Sequence, residues 1–293
     1  GILKPDESTV WADEGTAAHA VAAKVLSGKD WFDHDHYETP DQEEHVPTYV
    51  NYINNITIAY PDIKWKFEQR VDPAKFVKTE HCKGTADAIG ISIEHQIVYV
   101  IDYKHGERVV VETEDNLQLI LYALGAIAKL EKQGYEVKKF KFFLVIVQPR
   151  AFHRDGAIRE WQTSYRQLVK WARWLGERAK IALGPNPEFN ADPDVQCRFC
   201  SAQGVCETLA ERELTVARQV FTSVTEDADL KDINALTPKE ISFILRELPG
   251  LKRWATKVSE FALSYMESGG KIPYWGIEEK LGNRKWAVDP EEL

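Results

Sequence analysis

Asp102-Tyr103-Lys104 closes a β-branched, apolar run, Ile97 to Tyr103. Side chains alternate across a strand, so Asp102 and Lys104 share one face while Tyr103 points away. An acid beside an amine suits phosphodiester hydrolysis: the carboxylate holds a cation that polarises the phosphate, and the ammonium orients water or stabilises developing charge. Alone, an Asp-x-Lys is a common surface ion pair. Its neighbours change the reading. Gly84-Thr85-Ala86-Asp87 puts a second acid on the preceding strand, which a hairpin brings towards Asp102. Gly84 at that strand's start is consistent with close backbone approach. Upstream, Gly15-Thr16-Ala17-Ala18-His19 sets an imidazole in an otherwise Ala-rich helix, where a lone His is usually structural. Downstream, Gln118 and Tyr122 are four residues apart, hence on one helix face. Glu68 precedes this group and reads more simply as an exposed strand acid.

The elements that must position these residues follow from period and punctuation. Helices are predicted over 14–27, with Gly28 as a stop, and over 43–59, ending before Pro61. Strands are predicted over 64–71, 85–93 and 97–103, followed by a long amphipathic helix over 113–133 with Gly134 as its cap. A buried strand, 140–147, stops at Pro149. An edge strand at 158–163 and a helix at 164–183 complete this part. Three strands before a crossover helix predict an α/β fold, a central mixed sheet flanked by helices. A loop rich in Pro, Asn and Asp, Gly184 to Asp194, separates it from a cysteine run and a helical tail. The predicted divisions are 1–183, 184–210 and 211–293, with Thr237-Pro238-Lys239-Glu240 as a helix start.

Cys197, Cys200 and Cys206 form a C-x2-C-x5-C run. In a reducing compartment such thiols are metal ligands more often than disulfide partners. Cys82 stands alone and reads as a buried strand thiol.

In order, G-x-x-x-H, G-x-x-D, D-x-K and Q-x-x-x-Y over about residues 11–150 resemble the RecB-like branch of the PD-(D/E)xK nucleases. The resemblance implies a restriction-endonuclease-like core. It makes His19, Asp87 and Asp102 metal ligands, Lys104 catalytic, and Gln118 and Tyr122 part of a DNA-handling motif. An imidazole among the ligands favours Mn²⁺ over Mg²⁺. The cysteine run is similar to the C-terminal part of the iron–sulfur branch, which includes the CRISPR-adaptation nuclease and the AddB subunit. That implies a [4Fe–4S] cluster. Its upstream Cys is absent from residues 1–18, and the start at Gly1 suggests that N-terminal residues are missing. A structural Zn²⁺ site with a non-Cys fourth ligand is the competing reading. Residues 236–286, ending in Arg284-Lys285-Trp286, look like the C-terminal region of phage and prophage exonucleases of this class. The implied activity is 5′→3′ exonuclease action on linear DNA, single-stranded or duplex. It would supply single strands for phage recombination, alongside a single-strand annealing protein.

A net charge of −9 argues against a protein that coats nucleic acid through bulk positive charge. It leaves room for an enzyme whose carboxylates hold cations against phosphate. Basic clusters do occur, at Lys138/Lys139/Lys141, at Arg246/Lys252/Arg253/Lys257 and at Lys280/Arg284/Lys285, each ordinary for a solvated face. No apolar run spans a bilayer and the start lacks a signal-peptide pattern, so a cytoplasmic location is the default expectation. Rival readings are a structure-specific endonuclease or RNase using the same centre, a catalytically idle DNA-binding module, and a zinc-ribbon interaction protein.

Overall fold

The computed structural model describes residues 10–28, 37–194, 196–220 and 237–278. Chain contacts divide them into a larger unit ending at Glu188 and a smaller one beginning at Phe189. Lys280 and the Arg284-Lys285-Trp286 end lie outside the described residues.

The larger unit is an α/β sandwich around a five-stranded mixed sheet. Its elements are α1 (Val10–Ser27), α2 (Pro40–Ala59), β1 (Lys64–Val71), the short α3 (Ala74–Val77), β2 (Gly84–Ser92), β3 (Ile97–Tyr103), α4 (Leu117–Lys132), β4 (Lys141–Val147), β5 (Ile158–Ser164) and α5 (Tyr165–Ala182). The strands lie in sequence order. β1, β2 and β3 are antiparallel neighbours, β3 and β4 are parallel across α4, and β5 returns antiparallel. Every residue of β3 is buried, as its continuous apolar run requires of a strand covered on both faces. Val98 and Val100 join the core formed with α4 and α5, whereas Ile97, Tyr99, Ile101 and Tyr103 join the core formed with α1 and α2.

Three details place the site. Helix α4 starts at Leu117 rather than near 113, because the Asn116 side chain caps it by accepting from Leu119 N. The segment before it is a loop held by Gln148, whose amide nitrogen donates to Gly106 O and Val109 O and whose amide oxygen accepts from Val111 N. Close packing of α4 on β1 depends on Gly125, where a Cβ would lie 2.7 Å from that of Val71. In β1, Glu68 has φ 46, a left-handed conformation that breaks the strand's alternation. Trp65 and Phe67 before it pack on the α1/α2 side, while Val71 after it packs on the α4 side.

In the smaller unit α6 (Glu207–Val220) and α7 (Pro238–Glu267) pack together. The guanidinium of Arg212 joins Glu213 and Glu247, each at 2.7 Å. The helix predicted to start at Thr237-Pro238 does so, and it continues through Pro249. The cysteine run belongs to this unit, so the contacts draw one boundary near 188 where the sequence suggested divisions at 184 and 211. Gly204 packs so closely on α7 that a Cβ there would lie 2.6 Å from Lys257 O. Among the described residues no helix is long and apolar enough to cross a membrane.

Candidate functional site

The β2–β3 ladder runs from Ser92 opposite Ile97 to Ala88 opposite Ile101, and there it stops. Beyond it the Asp87 carboxylate takes the place of a backbone partner: Oδ2 accepts the amide of Tyr103 at 2.7 Å. Its other oxygen, Oδ1, faces His19 Nδ1 of α1 at 3.3 Å. Glu68 completes this group. One donor atom each from His19, Glu68 and Asp87 lie within 4.8 Å of one another. The left-handed turn at Glu68 therefore sits where the three donors converge. Sequence reasoning ranked Glu68 below the other acids, because nothing local announces a positive φ at a glutamate.

Asp102 adjoins this group without joining it. Its side chain is 2% exposed, and Lys104 Nζ lies 2.8 Å from its Oδ2, out of hydrogen-bond alignment. Lys104 also donates to Gln118 Oε1 at 3.1 Å, and Gln118 Nε2 donates to Tyr122 Oη at 2.9 Å. The structure thus brings Lys104, Gln118 and Tyr122 into one hydrogen-bonded line from the end of β3 to the start of α4. Gly84 makes room for it, since a Cβ there would lie 2.8 Å from Cε1 of Tyr122.

The electrostatics are those of crowded acids. Burial, reinforced by Asp87 and opposed by Lys104 and His19, pushes the Asp102 carboxyl up to about 6. Glu68 is likewise raised by burial and then by Asp87. For His19, burial disfavours the proton, but the hydrogen bond and charge of Asp87, with Asp102 and Glu68, prevail and raise its pKa. Burial is the largest cause for Asp102 and Glu68, and the neighbouring carboxylates add to it. A divalent cation among these donors would offset the crowding of the acids, and mixed oxygen and imidazole donors suit Mn²⁺ or Mg²⁺.

Tyr49 is a neighbour that sequence reasoning missed. It stacks on Tyr103 at 5.2 Å, and its buried hydroxyl has no partner among the described residues. Burial and the charges of Asp87, Asp102 and Glu68 hold that hydroxyl well above the usual phenol range. In sequence it is one apolar-face residue of α2 among several. On the same side of the sheet, Tyr103 Oη and His105 Nδ1 are 2.8 Å apart, and His105 Nε2 reaches Asp41 at 2.7 Å.

The cysteines are a separate matter. Cys200 N donates to Cys197 O at 3.1 Å, closing a tight turn, and Cys200 is exposed. Burial raises the Cys197 thiol, with Cys206 and Cys200 adding to the rise, so the three thiols are neighbours. They do not form a group within 4.8 Å as the His19 donors do. Cys82 ends a short 3₁₀ turn, Glu80–Cys82, before β2 and is only partly buried against the sheet's α4-side core. It is not the buried strand thiol expected from the sequence.

A crystal structure of a protein designated SSO0001 is similar to this chain at 15% identity. The likeness covers 70% of this chain and 89% of that one, with a TM-score of 0.28. Residues 3–292 match the family described as "Protein of unknown function (DUF2800)". Only Gly1, Ile2 and Leu293 fall outside that match, and the chain belongs to the DUF2800 family.

Proposed function

We propose that this protein is a divalent-metal-dependent deoxyribonuclease of the RecB-like PD-(D/E)xK type, acting as an exonuclease on linear DNA. The observation that carries the reading is the convergence of His19, Glu68 and Asp87 beside a buried Asp102 and an ion-paired Lys104. His19, Asp87 and Asp102, with Glu68 added, would hold Mg²⁺ or Mn²⁺. When bound, the cation supplies Lewis acidity towards a phosphodiester oxygen. The chain supplies the rest. Tyr103 N fixes the Asp87 carboxylate, Lys104 presents a positive charge where negative charge develops, and Gln118 orients that ammonium. In this reading Tyr122 Oη and the Gln118 amide, hydrogen-bonded to each other, would meet the DNA backbone.

End-directed action, 5′→3′ polarity and a role in phage recombination beside a single-strand annealing protein rest on the resemblance. The test is end-labelled linear DNA and covalently closed circular DNA, incubated with Mg²⁺ or Mn²⁺. Linear DNA degraded from its ends while the circle survives is the expected result. Nicking of the circle would instead identify an endonuclease, and RNA cleaved in preference to DNA an RNase. No cleavage of any of them would leave a DNA-binding module of the same fold.

For Cys197, Cys200 and Cys206 the proposal is a structural metal group, a [4Fe–4S] cluster or Zn²⁺. Three thiols are one donor short of a four-coordinate set, so the segment would hold either group only with a fourth donor, a further thiol or a non-Cys ligand. Ligation would staple the turn over Gly204 to α7 and add the metal's binding energy to the folding of that unit. Metal analysis of anaerobically purified protein is expected to find iron, with Cys200→Ser losing iron and thermal stability together. Zinc without iron favours the zinc site, and neither metal rejects ligation.

A further inference from the structure

A groove of about 1250 Å³ runs along the α4 side of the sheet edge, between β1, the β2 end and the second half of α4. Lys64, Lys66, Arg70, Lys129 and Lys132 line it, and among the described residues none of the five has an ion-pair partner. The acids of the same groove differ. Asp62, Asp72 and Glu131 are taken by His95, Lys83 and Lys75, which leaves Glu94. An acidic protein thus keeps an unbalanced strip of positive charge in one place. Lys66 and Lys129 face each other closely enough that burial and then Lys66 lower the Lys129 pKa. Between the cations the lining is apolar, with Ile89, Ile91 and Tyr135 among it.

We infer that this groove holds a single-stranded nucleic acid leading to or from the His19–Glu68–Asp87 centre, a reading that rests on the nuclease function proposed above. Two features select the ligand. Unpaired cations match a polyanion and gain from releasing its counterions. An apolar floor with an exposed aromatic matches unstacked base faces, which a duplex hides and a single strand offers. Position selects the path. Gln69, Arg70 and Val71 of the groove follow Glu68 directly, and Lys129 lies two turns along α4 from Tyr122, about 10 Å at 1.5 Å per residue. The eight residues of β1 rise about 3.3 Å each, so the groove offers on the order of 25 Å, room for several nucleotides.

The experiment is fluorescence anisotropy of labelled oligothymidylate and of a duplex of equal length, with the full chain in EDTA so that nothing is cut. The single strand is expected to bind more tightly. Lys66→Glu with Lys129→Glu should weaken it at least tenfold and flatten the log-affinity against log-salt line by about one unit per lost contact. Tyr135→Ala should weaken it by about tenfold with the salt slope unchanged. Unchanged affinity and slope in the double variant, or tighter binding of the duplex, overturns the inference. So does polyglutamate competing as well as the oligonucleotide, which would make the groove a site for acidic peptides. Cleavage supplies the separate control. A chain that binds as stated but never cleaves refutes the nuclease reading alone, whereas metal-dependent cleavage with binding indifferent to Lys66 and Lys129 refutes the groove alone.

Discussion

Lys104→Ala is expected to lower the rate of DNA cleavage by about 100-fold or more while leaving substrate affinity nearly unchanged. Lys104 Nζ is the one ammonium within 4 Å of Asp102 among the described residues, and it is held from the other side by Gln118. An ammonium held by an ion pair on one side and a hydrogen bond on the other is preorganised, so its charge would act on the transition state with little reorganisation cost. Its loss acts twice, because the buried Asp102 carboxyl, already raised to about 6, would lose the partner that opposes the rise. Breaking a buried pair is destabilising. Lys104 is 28% exposed, which moderates the effect, and melting curves with and without Mn²⁺ show whether the variant is folded. Lys104→Arg should recover little, since a planar guanidinium is not a substitute for a point charge in that gap. Single-turnover rates beside binding isotherms decide the matter. A loss confined to affinity would make Lys104 a phosphate clamp and reject the catalytic role.

The second large effect concerns Asp87, where two substitutions should part company. Asp87→Ala removes the acceptor for Tyr103 N, a group inside a fully buried strand, and is expected to destabilise the fold by about 1–3 kcal/mol. Asp87→Asn keeps an oxygen at that position and should retain most of the stability. Both should lose cleavage and lose stabilisation by divalent metal. For the wild type that stabilisation would be about 2.7 kcal/mol at a metal concentration one hundred times Kd. Thermal melts against Mn²⁺ concentration read both quantities in one series. A wild-type-sized Mn²⁺ response in Asp87→Asn would remove Asp87 from the ligand set, whatever happened to activity.

Local pattern carried most of the secondary structure, and the order of the four short motifs, with the resemblance it carries, nominated the candidate centre. Ile97 to Tyr103 was legible as the central strand because five consecutive apolar residues, Ile97 to Ile101, leave few other options, and Asp102 and Lys104 then share a face by strand geometry alone. The spacing of Gln118 and Tyr122 likewise put them on one helix face, and in the structure they hydrogen-bond. The start of α4 was misplaced because the loop before it is held by Gln148, over thirty residues away in sequence. Four matters belonged to the tertiary structure. Glu68 turns towards His19 and Asp87 through a positive φ that no neighbour in sequence signals. Asp87 fills the gap where β2 and β3 part, a consequence of register between strands. Tyr49 reaches the site only because α2 packs on Tyr103. The groove joins lysines of β1 to lysines of α4 about sixty residues later, and in sequence each reads as an ordinary solvated charge. Periodicity reports which face of an element is buried. Which side chains from distant elements meet is set by register and packing, and these exist only in the folded chain.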